Sequence, residues 1–233
     1  MSKKEHKPRT FKGIEALLDY VFELDYFHPN AKGEIAIPHA WVRGRGNFAV
    51  CLGENASGKS FFRRIVTAIA REAKVEAIPI SMEGRGDSFG GMRGFVYGDE
   101  SWQSTGENSA YTVLMGIKTA QERESSHVIV WDEPDLGLSD GWAAGMGQAL
   151  CKFASPLPRM TYGAFVVTHS RSLVRELLSA EPHFLYFGSS EPPATLAEWV
   201  DSKPKARDIA KLGDESHRRF KMIQAILDRV RAK

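Results

Sequence analysis

The residues with the clearest chemistry are 53–60, where the sequence GENASGKS lies between two apolar segments. Glycines at such a place let successive backbone N–H groups curl around phosphate oxygens, which larger side chains would hold at a distance. Lys59 is then placed to reach the β- and γ-phosphates, and the Ser60 hydroxyl to ligate Mg²⁺. The apolar segment 47–52 before this phosphate loop and the helical pattern 59–73 after it provide the strand–loop–helix context that the motif requires. The expected nucleotide-binding residues are Gly53, Glu54, Asn55, Ala56, Ser57, Gly58, Lys59, Ser60 and Phe61.

A second segment with candidate functional residues is HVIVWDEP, residues 127–134. Its apolar first half is typical of a buried parallel strand, and the ligand sites of doubly wound sheets lie at the carboxyl ends of such strands. Asp132 comes at that end and is expected to hold Mg²⁺ through water, so Ser60 and Asp132 are the predicted metal ligands. Glu133 follows directly and is the expected catalytic base, which would orient and deprotonate the attacking water.

Taken in order along the chain, these motifs resemble those of the ABC-type ATPases. The sequence GENASGKS is similar to that family's Walker A motif, and WDEPDLGLSD (131–140) is similar to its Walker B and D-loop segments. The segment FVVTHS (165–170) is similar to its switch-histidine segment, which implies that His169 is a catalytic residue that senses the γ-phosphate. The resemblance extends over about residues 33–190. The implied D-loop residues are Leu138, Ser139 and Asp140.

The family also has a signature motif that one subunit presents to the ATP of another, and its nearest counterpart here lies in WQSTGENSA (102–110). A hydroxyl and backbone N–H groups at a helix N-terminus form an anion site, which suits a phosphate. The same residue types are typical of an ordinary helix cap, and the sequence leaves both interpretations open. The residues that resemble the family's Ser-Gly-Gly-Gln are Ser104, Thr105, Gly106 and Glu107.

Two departures from the family pattern concern the segment between Lys59 and Ser104. No glutamine suited to the family's Q-loop follows the strand predicted at 75–81, and Glu83 is the nearest candidate. Lys59 and Ser104 are only 45 positions apart, which is short for the helical subdomain of a transporter ATPase. No heptad pattern predicts the coiled coil of SMC-type and DNA-repair relatives. The chain therefore resembles the soluble DNA-repair and phage-defence branch, with a reduced helical subdomain and no coiled-coil insert.

Alternating strand and helix patterns predict an α/β fold with a mostly parallel sheet, here a P-loop NTPase of the ABC type. The expected strands are 34–38, 47–52, 75–81, 127–131, 164–168 and 182–188. The expected helices are 11–27, 59–73, 108–124, 140–153, 171–179 and a final helix in the tail. The glycine-rich segment 82–94 has no clear period and is predicted to be a loop.

The chain is expected to divide into a helical N-terminal extension at 1–32, an ABC-type ATPase domain at 33–190 and a basic helical tail at 191–233. From Lys203 onward the tail carries ten lysines and arginines against four acidic residues. Such basic segments are either solvated or contacts for a nucleic acid or an acidic partner. The final helix has an apolar stripe, which would either dock on the chain's own core or be offered to another protein. The stripe consists of Phe220, Ile223, Ile226, Leu227 and Val230.

Composition and cysteine usage narrow the class of protein and the cellular compartment to be expected. The 233 residues, 42% of them hydrophobic, are enough for a sizeable core, and the formal net charge of +2 says little about partners. Cys51 and Cys151 lie in apolar contexts without metal-like spacing, which is typical of reduced cysteines in a cytoplasmic protein. No segment reaches the roughly 20 apolar residues of a membrane span, and the charged N-terminus lacks a signal-peptide core. We therefore expect a cytoplasmic protein with no membrane partner.

The residue that would contact the adenine base stays open at this stage. Phe27, Trp41 and Phe48 are aromatic candidates upstream of the phosphate loop. Each of them is also typical of a core residue, because aromatic side chains bury large apolar areas.

Together these features predict an ABC-type ATPase with ATP and Mg²⁺ as cofactors. Two copies would sandwich two ATP molecules, each between the phosphate loop of one copy and residues 104–107 of the other, and hydrolysis would release the dimer as a switch. The expected output is related to nucleic acid, DNA or RNA, in a repair, mobile-element or defence system. The alternative is a regulatory ATPase that controls an effector protein through residues 191–233. A transporter ATPase subunit is a third reading, which the short insert and the missing Q-loop glutamine disfavour.

Overall fold

The computed structural model describes residues 10–81, 104–188 and 191–231. Within these ranges the chain forms one six-stranded sheet with helices on both of its faces. Across the sheet the order is β1-β6-β2-β5-β4-β3, and β1 alone runs antiparallel to its neighbour among these described strands. The predicted α/β fold with a mostly parallel sheet is therefore confirmed. The strands are β1 His39–Val42, β2 Phe48–Gly53, β3 Glu76–Ser81, β4 His127–Asp132, β5 Thr161–Val167 and β6 His183–Phe187.

Seven α-helices lie in the described part of the chain. They are α1 Ile14–Phe22, α2 Lys59–Glu72, α3 Thr105–Glu122, α4 Asp140–Ala154, α5 Arg171–Leu177, α6 Leu196–Asp201 and α7 Leu212–Arg231. The helix predicted at 11–27 ends at Phe22 and is followed by a 3₁₀ turn at Asp25–Phe27. The helix predicted to begin at 108 begins at Thr105, and α6 has no counterpart among the predicted helices.

Two predictions lie outside the described residues, namely the loop at 82–94 and the candidate Q-loop residue Glu83. Within the described ranges, no helix combines the length and the apolar character that crossing a membrane requires.

The strand predicted at 34–38 is wrong, because the edge strand lies at His39–Val42 instead. Ala36 and Ile37 are buried, but they pack in the core and do not pair in the sheet. Pro38 has no N–H to donate to a ladder, and its carbonyl accepts one backbone bond from the residue after β6. The short apolar run before Pro38 thus indicates burial correctly, while pairing in the sheet starts only after the proline.

The sheet buries side chains on both faces, which is why its central strands are apolar throughout. Along β2, Phe48, Val50 and Leu52 lie in the cluster that also contains side chains of α3, α4, α5 and α6. Ala49 and Cys51 belong to the cluster on the other face, which contains side chains of α1, α2 and α7. The helix after the phosphate loop and the helix after residue 104 therefore lie on opposite faces of the sheet.

Three neighbouring parallel strands bring the predicted site segments to one edge. In the register of the sheet, Cys51 of β2 pairs with Val167 of β5, and Val167 pairs with Asp132 of β4. Because parallel strands end at the same edge, the loops after β2, β4 and β5 leave the sheet side by side. The phosphate loop, Glu133 and His169 consequently come together although they are far apart in the sequence.

The first and last helices pack on the same face of the sheet as α2. Four side chains of α1 are buried, and α7 contributes two more to the same cluster. The predicted boundaries at 33 and 191 stay a prediction from the sequence, and hydrophobic contacts of this face run across both of them.

We expect Leu18→Ala to lower the free energy of unfolding by about 3 kcal/mol, because Leu18 is 0% exposed and its truncation leaves a cavity under α1. Leu114→Ala is the matched control, since Leu114 is 56% exposed and should lose less than about 0.5 kcal/mol. Urea unfolding followed by far-ultraviolet circular dichroism measures both values. Equal losses for the two variants would contradict the position of α1 in the core.

Candidate functional site

A cavity of about 710 Å³ lies where β2, β4 and β5 end. Its wall brings together residues 55–61 of the phosphate loop with Asp132, Glu133 and His169. One face of α7 forms another part of the wall. Ligand sites in proteins commonly have volumes of about 300–1,000 Å³, so the cavity has the size of a small-molecule site.

The phosphate loop has a backbone that only small residues permit. Gly53, Ala56 and Gly58 have positive φ angles of +144°, +58° and +101°. A Cβ on Gly53 would collide with the Phe187 carbonyl, so glycine is required where the chain leaves β2. Gly58 is the N-cap of α2 and offers no capping side chain, and the first turn of α2 contains no acidic residue. Because the first N–H groups of a helix lack intrahelical acceptors, this turn presents donors and the positive end of the helix dipole to an anion.

Lys59 lies buried within this loop. Its Nζ donates to the carbonyls of Gly53 and Glu54, at 3.2 and 2.7 Å. Burial lowers the pKa of Lys59 to about 8, and the carboxylates of Glu133 and Asp132 oppose that shift. A phosphate would be a better acceptor than either carbonyl, because its negative charge attracts the ammonium of Lys59, whereas a carbonyl is neutral.

The cavity wall also holds oxygen donors suited to a phosphate and a metal ion. Ser57 Oγ is buried and has no hydrogen-bond partner within the described part of the chain, while Ser60 is exposed. Asp132 is buried at the end of β4, and its Oδ2 lies 2.9 Å from Arg63 Nε in an ion pair. Residues 10–81, 104–188 and 191–231 contain no cluster of three or more His, Cys, Asp or Glu side chains that could hold a metal ion. One carboxylate and one hydroxyl nevertheless fit Mg²⁺, which proteins usually bind through one or two carboxylates together with phosphates and water.

Glu133 and His169 lie close together in the wall, with Glu133 Oε1 3.9 Å from His169 Nε2. Glu133 has a φ of +53°, a conformation that costs energy for a residue with a side chain and that is common at functional sites. Its N–H donates to the Val167 carbonyl at 2.8 Å, which fixes Glu133 beside the end of β5. Burial, and to a lesser degree the charge of Lys59, lowers the pKa of His169 to about 4. The imidazole is therefore neutral at physiological pH and offers one donor and one acceptor.

Residues 104–107 do not line this cavity. Ser104 Oγ accepts from the Glu107 N–H at 3.3 Å, and Glu107 Oε2 accepts from the Ser104 N–H at 2.7 Å. These bonds form a capping box at the start of α3, which is the helix-cap interpretation that the sequence left open. Gly106 packs against Leu138 and the carbonyl before it, so the turn contacts the predicted D-loop of its own chain and not its own phosphate loop.

The three upstream aromatic candidates all lie outside the cavity lining. Phe27 and Phe48 are core residues, and Trp41 packs against aromatic neighbours at the edge strand. The aromatic residues that do line the cavity are Phe61 and Phe220.

Several lining residues have no counterpart in the predicted site. Six of them come from α7, and their spacing of three and four residues marks one face of a helix. The sequence contains that signal, but it does not say that the face meets the phosphate loop. The lining residues that sequence reasoning missed are Arg64, Ser216, Arg219, Phe220, Ile223, Gln224 and Leu227.

Comparisons with known proteins provide no family assignment. None of the protein-family models matches the chain. None of the curated proteins matches it significantly. The function proposed below therefore depends on the geometry of the described residues.

We expect the imidazole of His169 to stay neutral until the pH falls to about 4, because burial disfavours its charged form. NMR titration of ¹⁵N-histidine-labelled protein measures this, and His169→Gln identifies the resonance. An unperturbed imidazole has a pKa of about 6.5, so as the pH falls the unfolded chain binds this proton before the folded chain does. The contribution of His169 to the free energy of unfolding is therefore lost as the pH falls from about 6.5 towards 4. A titration midpoint close to that of an unperturbed imidazole would contradict the partly buried position of this side chain.

Proposed function

We propose that this chain is a P-loop NTPase of the ABC type that binds Mg-ATP and hydrolyses it. The observation that carries the proposal is the single cavity shared by residues 55–61, Asp132, Glu133 and His169. A glycine-rich turn that matched the motif by chance would have no reason to meet an acidic pair and a histidine from two other strands. The mostly parallel sheet, with its strand–loop–helix unit around the phosphate loop, supports the same proposal.

In this proposal the phosphate loop binds the triphosphate. N–H groups in the first turn of α2 donate to phosphate oxygens, and Lys59 exchanges its two carbonyl partners for the β- and γ-phosphates. Ser60 and Asp132 would hold Mg²⁺, Asp132 through water and beside its ion pair with Arg63. Bound Mg²⁺ supplies charge neutralisation to the phosphate that is being transferred.

Hydrolysis would depend on the two side chains that follow β4 and β5. Glu133 stands in the cavity wall directly after Asp132, where its carboxylate can orient a water molecule and accept its proton. His169 is neutral at physiological pH and can donate a hydrogen bond to a γ-phosphate oxygen without first being protonated. The 3.9 Å between the two groups places them close enough to contact the same water or phosphate.

Residues 104–107 would act on the nucleotide of a second copy, since they lie outside the cavity of their own chain. For Ser104 to contact a phosphate, the Glu107 carboxylate has to leave the capping box, because two anions at one helix end repel each other. The elements around this turn carry exposed apolar side chains, which support an interface with another molecule. These side chains are Tyr111, Leu114, Leu136 and Trp142, the last of them 74% exposed.

The output of the switch is proposed to involve a nucleic acid, DNA or RNA, in the cytoplasm. The basic residues of the tail support this, because many of them are exposed. A regulatory ATPase that binds an effector protein through residues 191–233 is the alternative. Ile223 and Ile226 of that tail are buried on the chain itself, which leaves less of the apolar stripe for an effector. The exposed basic residues include Lys203, Lys205, Arg218, Lys221, Arg229 and Arg231.

We expect the chain with ATP and Mg²⁺ to bind a short DNA or RNA oligonucleotide with an affinity that falls as salt rises, because contacts to phosphates release counterions. Fluorescence anisotropy at salt concentrations from about 50 to 200 mM measures the slope. The variant Lys203→Glu should bind more weakly, while Lys152→Glu at the end of α4 is the charge-matched control. Absence of binding at the lowest salt would reject the nucleic-acid proposal.

We expect Glu133→Gln to bind ATP but to slow its hydrolysis by about 10²- to 10⁴-fold, because an amide cannot accept the proton of the attacking water. With ATP and Mg²⁺ this variant should accumulate as a dimer on size-exclusion chromatography. Lys59→Ala is the control and should show neither ATP binding nor a dimer. A Glu133→Gln variant that stays monomeric with ATP at tens of micromolar would contradict the sandwich.

A further inference from the structure

The cavity has one wall that none of the ATPase motifs accounts for. It is formed by one face of α7, and its residues recur every three or four positions. Among the described residues, the rest of the lining consists of the phosphate loop with Arg64, the acidic pair and His169. The face of α7 is therefore available to the part of a nucleotide that extends beyond the phosphates. The residues of this wall, which we call the α7 wall, are Ser216, Arg219, Phe220, Ile223, Gln224 and Leu227.

Contacts within the chain hold the α7 wall beside the phosphate loop. Ile223 is buried in the cluster that also contains α1 and α2. Arg219 Nη1 donates to the Ala36 carbonyl at 2.8 Å. In the segment before α7, Arg207 forms an ion pair with Glu54 of the phosphate loop. These contacts hold the wall against the fold, so its surface is in place before a ligand binds.

The α7 wall has the chemistry of a site for a flat heterocycle. Phe220 is 57% exposed although it lines the cavity, and Ile223 and Leu227 continue an apolar strip from it along the helix. Gln224 stands one turn from Phe220 and carries both hydrogen-bond donors and an acceptor. An aromatic ring offers a stacking surface to any base, and an amide can pair with the polar edge of that base.

We propose that the α7 wall is the nucleobase site, in which Phe220 stacks on the base and Gln224 hydrogen-bonds to its edge. The inference rests on the proposed function, in which the phosphate loop binds the triphosphate. The cavity of about 710 Å³ has room for both ends of such a ligand. A phosphate loop by itself does not distinguish ATP from inorganic polyphosphate, so recognition of the base in this chain depends on its tail helix.

Isothermal titration calorimetry in the presence of Mg²⁺ tests this with two ligands, ATP and inorganic tripolyphosphate, which keeps the phosphates but has no base. The wild-type chain should bind both. Phe220→Ala should raise the Kd for ATP about tenfold, within the range of about 5- to 150-fold that corresponds to a lost base–aromatic stack. The Kd for tripolyphosphate should not change. Phe220→Tyr keeps the ring and should keep the wild-type affinity for ATP.

Val230→Ala is the matched control, because Val230 is on the same helix, is 56% exposed and lies outside the cavity lining. It should alter neither Kd. Thermal unfolding by circular dichroism checks that Phe220→Ala is folded, as expected for a truncation at a largely exposed side chain.

If Phe220→Ala binds ATP as tightly as the wild type, or weakens both ligands equally, the nucleobase site is overturned and the role of the phosphate loop is left intact. If the wild type binds neither ligand, or Lys59→Ala binds both as tightly as the wild type, the proposed function itself fails. The two ligands therefore distinguish a failure of the proposed nucleobase site from a failure of the proposed triphosphate binding.

Discussion

The pairing of β2, β5 and β4 as neighbouring parallel strands is the constraint on which the candidate site depends. β5 lies between the other two, and the register sets the ends of all three at the same edge of the sheet. In an antiparallel arrangement, the loops after these strands would leave at opposite edges, and the phosphate loop could not meet Glu133 or His169. Helices cover both faces of the sheet, so apolar burial holds a polar site in place.

The site brings together buried charged side chains and strained backbone. Lys59, Arg63 and Asp132 are largely withdrawn from solvent, and burial lowers the pKa of Lys59 while nearby carboxylates oppose the shift. Ala56 and Glu133 have positive φ angles on two sides of the same cavity. Such conformations persist only where surrounding packing holds them, and here the strands and both helical layers provide that packing.

The N-termini of α2 and α3 differ, and the difference sets the order in which the two helix ends would bind phosphate. At α2 the N-cap is a glycine and no acidic side chain occupies the first turn, so the backbone N–H groups of this turn are available to bind a phosphate. At α3 the Glu107 carboxylate already occupies the helix end, and hydrogen bonds from Ser104 lower the pKa of Glu107. In the proposed dimer, a phosphate is therefore expected at α2 first, and contact with the turn of a second copy would follow only after the capping box opens.

Much of this protein follows from local patterns in its sequence. The glycines of the phosphate loop, the apolar segments ending at Asp132 and before His169, and the alternation of strands with helices each depend on residues that are close along the chain. They determined the α/β class, the bounds of most elements and the residues at the strand ends, because backbone conformation and the period of burial are local properties. Roles in binding ATP and in dimerisation stay predictions from those motifs.

Tertiary structure decided the remainder. It placed the edge strand at His39–Val42 and not at 34–38, set residues 104–107 away from the cavity and packed one face of α7 beside the phosphate loop. An apolar stripe such as that of α7 indicates only that one face of the helix packs against another surface, and several surfaces could bury it equally well. The choice among them depends on the summed packing of residues far apart in the chain, which no local pattern contains.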